Sequence, residues 1–110
     1  MKKTNEYLNY VLELLAPMGD VTARSMFGGY GIYNNKVIFA IIGDDILYFK
    51  VTDENISDYV DADSSPFTYT KKGKDIQMSY WIVPEDVLED QDALLDWAEK
   101  AYIASCNTKR

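Results

Sequence analysis

The chain has 110 residues, 47% hydrophobic and 14% aromatic, a globular composition that excludes a disordered chain. It has no histidine and one cysteine, Cys106. That excludes Ser-His-Asp and Cys-His nucleophile activation, ordinary zinc sites, an internal disulfide and CxxC redox chemistry. The net charge is −7, and it is −11 from Thr4 to Thr108 because Lys2, Lys3, Lys109 and Arg110 are terminal, so the bulk field opposes duplex binding.

Surface scaling predicts about 6,200 Å2 exposed on folding, enough burial for one core without a metal or disulfide. No repeat, low-complexity tract or linker interrupts the chain. The expectation is a single domain over residues 1–110 with an ordered core from about 4 to 105. The longest apolar run, Val37 to Ile42, is far short of the ~20 residues of a membrane helix. The N-terminus has no signal-peptide h-region. Both point to a cytoplasmic protein with no membrane contact.

A first helix is predicted with Thr4 as N-cap, Glu6 in the first turn, and Tyr7, Leu8, Val11, Leu12 and Leu15 as its apolar stripe. Pro17 and Gly19 end it. Three strands follow as an antiparallel meander. They are Arg24 to Tyr33, Val37 to Ile42 and Ile46 to Val51, with turns at Asn34-Asn35 and Gly43-Asp44-Asp45. Val37 to Ile42 is apolar throughout, as in a strand covered on both faces.

Asp53 to Asp61 reads as a short helix with Asp53 as cap and Ile56, Tyr59 and Val60 facing inward. A hairpin then pairs Phe67 to Thr70 with Ile76 to Val83 across Lys71-Lys72-Gly73-Lys74-Asp75. On its second strand Ile76, Met78, Tyr80 and Ile82 share one face, opposite Trp81 and Val83. A last helix carries Leu94, Leu95, Ala98, Ala101 and Tyr102, capped by Asp90 or Asp92. The order α-β-β-β-α-β-β-α implies an α+β fold with a five-stranded, mainly antiparallel sheet packed by helices.

Few residues stand out for chemistry. Gly28-Gly29-Tyr30-Gly31 has the look of a phosphate loop, but it runs into another strand rather than a helix and lacks a following Lys-Ser/Thr. A bulge or bend that needs glycine fits it better. Arg24, the internal arginine, either pairs with one of the surrounding acids or clamps a carboxylate or phosphate. Lys71, Lys72 and Lys74 form a basic cluster at a hairpin tip, either a solvated turn or a nucleic-acid contact. Seven acids and no base lie between Glu85 and Glu99. They form a solvated face or a patch for a basic partner, with Asp92 and Asp96 as its candidate contacts. Their spacing is not that of an EF-hand. No cofactor or metal is expected, Cys106 reads as a bystander, and the nine tyrosines read as packing residues.

Arg24-Ser25-Met26-Phe27-Gly28-Gly29-Tyr30-Gly31-Ile32-Tyr33 resembles the signature of the TfoX N-terminal domain family of bacterial competence regulators. The likeness continues through Val37-Ile38-Phe39-Ala40, Leu47-Tyr48-Phe49-Lys50-Val51, Pro66-Phe67-Thr68-Tyr69, Met78-Ser79-Tyr80, Val83-Pro84-Glu85 and Asp96-Trp97-Ala98. It covers about Tyr7 to Tyr102. The resemblance implies an α-β3-α-β2-α fold similar to secretion chaperones, with no catalytic residues. It also implies a regulatory role beside a transcription activator, here as a stand-alone N-terminal domain without the helical second domain of longer members.

The expected function is a non-enzymatic regulatory module with a protein partner, in transcription or competence control. The alternatives are a chaperone-like homodimer that holds a partner segment, or a binder of small anions centred on Arg24. Direct nucleic-acid binding is not expected. Arg24, Phe27, Gly28, Gly29, Tyr30 and Gly31 are the candidate shape-defining or ligand-binding residues.

Overall fold

A computed structural model of the chain describes residues 3–26 and 28–108, apart from the side chains at positions 3–5 and 69. Helix α1 spans Lys3–Leu15, so Thr4 falls inside the first turn instead of ahead of it, with its side chain outside the described residues. Val11 and Leu15 are wholly buried, while Tyr7, Leu8 and Leu12 pack half-buried against the same core. A 3-10 turn, Ala16–Met18, follows, and Gly19 at φ +123° donates its N–H to the Ala16 carbonyl. The chain leaves the helix where the sequence signals a stop.

The sheet has six strands, one more than expected. They are β1 Val21–Met26, β2 Gly29–Asn34, β3 Val37–Gly43, β4 Ile46–Lys50, β5 Pro66–Lys71 and β6 Lys74–Ile82, in the spatial order β1-β2-β3-β4-β6-β5. Every pairing is antiparallel. The extra strand arises because Arg24 to Tyr33 is a hairpin, not one strand. Gly28, at φ +81°, reverses the chain between Met26 and Gly29, a conformation open to glycine at little cost.

Three other hairpins close on two residues that both have positive φ: Asn35-Lys36, Asp44-Asp45 and Lys72-Gly73. This is the type I′ geometry whose twist matches the flanking strands. The first turn lies one residue later than Asn34-Asn35, and Asn34 is instead a strand residue only 3% exposed.

Helix α2 is Ile56–Asp61, shorter than the expected Asp53–Asp61. Asp53 does not cap it. The preceding turn is held by Thr52 and Asn55, where the Asn55 side chain accepts the Thr52 N–H at 2.8 Å and donates to the Lys50 carbonyl at 3.0 Å. Tyr59 is buried, Ile56 half-buried, but Val60 is 55% exposed and does not face inward. Successive helix positions are about 100° apart, and the inward direction of α2 falls on Tyr59, which leaves Val60 on its outer side.

A four-residue helix α3, Glu85–Leu88, precedes α4, Gln91–Thr108. Of the two proposed caps, Asp90 fills the role: its carboxylate accepts the Ala93 N–H at 3.3 Å, and its carbonyl accepts the Leu94 N–H. Leu94, Ala98, Ala101 and Ala104 are fully buried, so α4 meets the sheet through small side chains. Leu95 and Tyr102 pack beside them half-buried. Cys106 is exposed. No helix among the described residues is long and apolar enough to cross a membrane.

The core lies between α1, α4 and one face of the sheet. Ile32, Ala40, Ile42, Leu47 and Phe49 meet Val11, Leu15, Leu94, Ala98 and Ala101 there. Tyr59 seals its edge, with ring centroids 4.6 Å from Trp97 and 6.2 Å from Trp81. The Tyr59 hydroxyl is buried and has no hydrogen-bond partner. Burial, with a smaller contribution from the Asp58 charge, pushes its ionisation well above the ordinary 10.0.

Tyr59→Phe is therefore expected to be neutral or to stabilise by up to about 1 kcal/mol, since it removes an unpaired buried hydroxyl. The wild-type phenol also makes stability depend on pH, with no loss below about pH 10 and a decline above it, where the unfolded tyrosine ionises and the folded one resists. Melting curves from pH 7 to 11 should show a shallower alkaline loss in the variant. A lower melting temperature for the variant at pH 7 would count against the unpaired hydroxyl.

Candidate functional site on the helix-free face of the sheet

Residues directly opposite one another in an antiparallel ladder project to the same face. The registers place Arg24, Gly31, Ile41, Tyr48 and Ile82 in one row across the sheet, on the face away from Ile42 and Leu47. β3 carries a bulge on this row's flank. Ile32 pairs with Ala40, but Tyr33 pairs with Ile38, so Phe39 is the extra residue. The bulge turns Phe39 into the core, against Tyr102, while Ile38 and Ile41 share the opposite face. Val37 to Ile42 is thus packed by a helix on one side only, and the expectation of cover on both faces is corrected.

That second face forms a groove of about 280 Å3 lined by Met26, Ile38, Ile41, Tyr48, Phe67, Met78 and Tyr80, together with Gly28, Gly29, Tyr30, Gly43 and Asp44. Phe67 meets the Tyr48 ring edge-on at 5.0 Å. Burial, and less strongly the Asp44 charge, raise the Tyr48 hydroxyl's pKa. Burial and the neighbouring Tyr33 phenol raise that of Tyr80. The phenols here stay neutral, and the groove is apolar with a few hydroxyls at its margin.

The glycine motif builds this surface. A Cβ on Gly31 would sit 2.7 Å from Met26 Sδ and 3.0 Å from Ile38 Cδ1, so its absence lets these side chains close over the strand. Gly29 has no positive φ, yet a Cβ there would collide with the Ile42 carbonyl. The backbones of β2 and β3 approach more closely there than any other residue permits. Gly28 supplies the turn. The motif is a bend and close approach, and it opens no helix that could receive an anion.

Two cations project from the same face of the sheet, outside the groove's own lining. The Arg24 guanidinium lies 5.8 Å from the Tyr33 ring centroid, and the Lys50 ammonium 5.4 Å from that of Tyr80 while donating to Ser79 Oγ at 2.9 Å. Among the described residues no carboxylate pairs with either, so the expected partnership of Arg24 with a neighbouring acid is not formed. The ion pairs there belong to Lys100, which contacts Asp58 at 3.3 Å and Asp96 at 3.6 Å. Both are solvent-exposed pairs of small energetic weight.

Of the candidate residues, Gly28, Gly29 and Tyr30 touch the groove, although Tyr30 pairs with Ile42 and packs against the core. Arg24 and Gly31 lie in the row across the open face without lining the groove, and Phe27 lies outside the described residues. Lys71, Lys72 and Lys74 lie at the far β5–β6 hairpin tip and are exposed. Asp92 and Asp96 are on α4, which packs against the other face. These three sets do not form one site. Lys50, Ile41 and Tyr48 were not singled out from sequence, although the alternation of Ile46 to Val51 already places Tyr48 and Lys50 on one face. Met78 and Tyr80 were placed on a common face but not assigned to a surface. Among the described residues, no group of three or more acids, cysteines or histidines is arranged to hold a metal ion.

The model of the TfoX N-terminal domain matches residues 13–105. The chain belongs to that family. Its curated relatives include protein Sxy of Escherichia coli (strain K12), 27% identical over 97 residues that make up 88% of this chain and 46% of that protein. DNA transformation protein TfoX1 of Aliivibrio fischeri (strain ATCC 700601 / ES114) is 27% identical over 95 residues, 86% of this chain and 44% of the relative. The chain spans a little under half the length of these relatives. Every element from the end of α1 to the last turns of α4 falls inside the match, including the whole groove.

Proposed function

We propose that this TfoX N-terminal domain is a regulatory module without catalytic activity that works by protein contact. Its process would be transcription control bearing on DNA transformation, the process in the name of its relative DNA transformation protein TfoX1. The observation that carries this reading is the helix-free sheet face, an apolar groove margined by the neutral phenols of Tyr48 and Tyr80. A concavity with apolar walls and a few polar groups at its margin is where another molecule can dock.

The test is a chromosomal deletion in the native host, complemented with the wild-type chain or with Ile41→Asp, read by transcript profiling and transformation frequency. A set of transcripts lost on deletion and restored only by the wild type is expected. An unchanged profile overturns the regulatory reading.

A second reading, a binder of small anions, is supported by the unpaired Arg24 and Lys50. It predicts that a millimolar phosphate or dicarboxylate raises the melting temperature of the wild type and not of Arg24→Gln. A flat response across such a panel removes it.

A further inference from the structure

We infer that the groove on the open sheet face docks an acidic, amphipathic segment of a partner protein, with apolar side chains seated over Ile41 and Met78 and carboxylates at Arg24 and Lys50. The inference rests on the protein-contact reading and names the chemistry of the contact. Its first support is the distribution of charge between the two layers. From Thr4 to Thr108, Arg24, Lys36, Lys50, Lys71, Lys72 and Lys74 all lie on strands or their turns, and only Lys100 lies on a helix. The acids divide the opposite way: apart from Asp44, Asp45 and Asp75, they lie on helices or on the segments that join helices to strands. The −7 molecule is polarised, and its sheet layer is the side that attracts a negative partner.

The second support is what the groove offers. Its centre is apolar, and the methionines Met26 and Met78 supply flexible, polarisable walls suited to irregular side chains. The cations on this face, Arg24 and Lys50, lack carboxylate partners among the described residues, so a carboxylate arriving there displaces no existing ion pair. Single-stranded nucleic acid fits less well. Bases need free ring faces on which to stack, and those of Tyr33 and Tyr80 already carry Arg24 and Lys50. A second copy of the chain would have to bring one of its acidic helices into the groove. That arrangement is head-to-tail, and it does not close unless the rotation forms a ring.

The full chain is used as bait for a displayed library of random twelve-residue peptides, and enriched peptides are synthesised and titrated by fluorescence anisotropy. Enrichment of aliphatic or aromatic residues alternating with Asp and Glu is expected. Binding should weaken roughly tenfold in Arg24→Glu and again in Lys50→Glu, hold in Arg24→Lys, and be untouched by Lys72→Glu at the hairpin tip. Arg24 is exposed, so Arg24→Glu should keep the wild-type melting curve and decides the matter if Lys50→Glu fails to fold.

A basic consensus, no enrichment, or affinity indifferent to Arg24→Glu overturns the inference. So does salt-sensitive binding of a labelled oligonucleotide that exceeds that of the peptides, or a sedimentation-measured self-association that Arg24→Glu abolishes. The two readings fail separately. Peptide binding with a silent deletion strain rejects the regulatory role and leaves the docking face. A regulatory phenotype without peptide binding does the reverse.

Discussion

Gly29→Val is expected to destabilise the fold by about 3 kcal/mol or more, because the new Cβ must occupy the position of the Ile42 carbonyl oxygen. Neither partner can yield cheaply. The carbonyl is backbone in the central β3 strand, and Gly29 itself is held in register with Met26. Against a total stability of about 5–15 kcal/mol, such a loss should lower the melting temperature by roughly 12 °C or more at this chain length.

Gly28→Ala is the informative comparison. Gly28 sits at φ +81° with open space where a Cβ would go, so its cost is backbone strain alone, about 1–2 kcal/mol. Thermal melts of the two variants separate the causes. A smaller loss for Gly29→Val than for Gly28→Ala would show that turn conformation, and not close strand approach, demands glycine in this motif.

Phe49→Ala should cost about 3–5 kcal/mol, the range for emptying an aromatic site in a packed core. The side chain is fully buried, lies in the ladder between Ala40 and Trp81, and has its ring centroid 6.0 Å from that of Phe39. Small side chains on the facing part of α4 leave nothing long enough to collapse into the space. Val60→Ala serves as the contrast: that valine is 55% exposed, and its loss should stay within about 0.5 kcal/mol. Chemical denaturation of the two variants gives the difference directly. Equal losses would contradict the burial pattern of α2.

Much of this architecture is legible in the residues. The stripes of α1 and α4, the stop at Pro17 and Gly19, a cap at one of Asp90 and Asp92 and the alternation of Ile76, Met78, Tyr80 and Ile82 are local signals. They were read correctly because helix and strand periods are properties of neighbouring positions. Errors cluster where the outcome depends on distant chain. Arg24 to Tyr33 reads as one strand because three glycines, Gly28, Gly29 and Gly31, interrupt it in sequence without saying which takes positive φ. Val60 looks like Tyr59 in a hydrophobic window, and only the direction of α2 against Trp81 and Trp97 distinguishes them.

The candidate site was half visible. The motif from Arg24 to Gly31 drew notice, but its purpose lay in a bulge at Phe39 that no periodicity announces. The bulge leaves Ile38 and Ile41 on the open face, and the groove walls come from β4, β5 and β6, remote in sequence. The excess of acid and the lack of imidazole, by contrast, were plain in the composition before any folding was considered.

Composition, charge and local periodicity therefore set the α+β class and the absence of histidine-based chemistry, since these are sums over residues or patterns among near neighbours, while the likeness to the family rests on motifs in a fixed order along the chain. Strand pairing set the rest: which face of β3 stays uncovered, where Arg24 and Lys50 meet rings in place of carboxylates, and why Gly29 must be glycine. Each of those depends on a register between segments far apart in the chain, and a shift of a single position would send the same side chains to the opposite face.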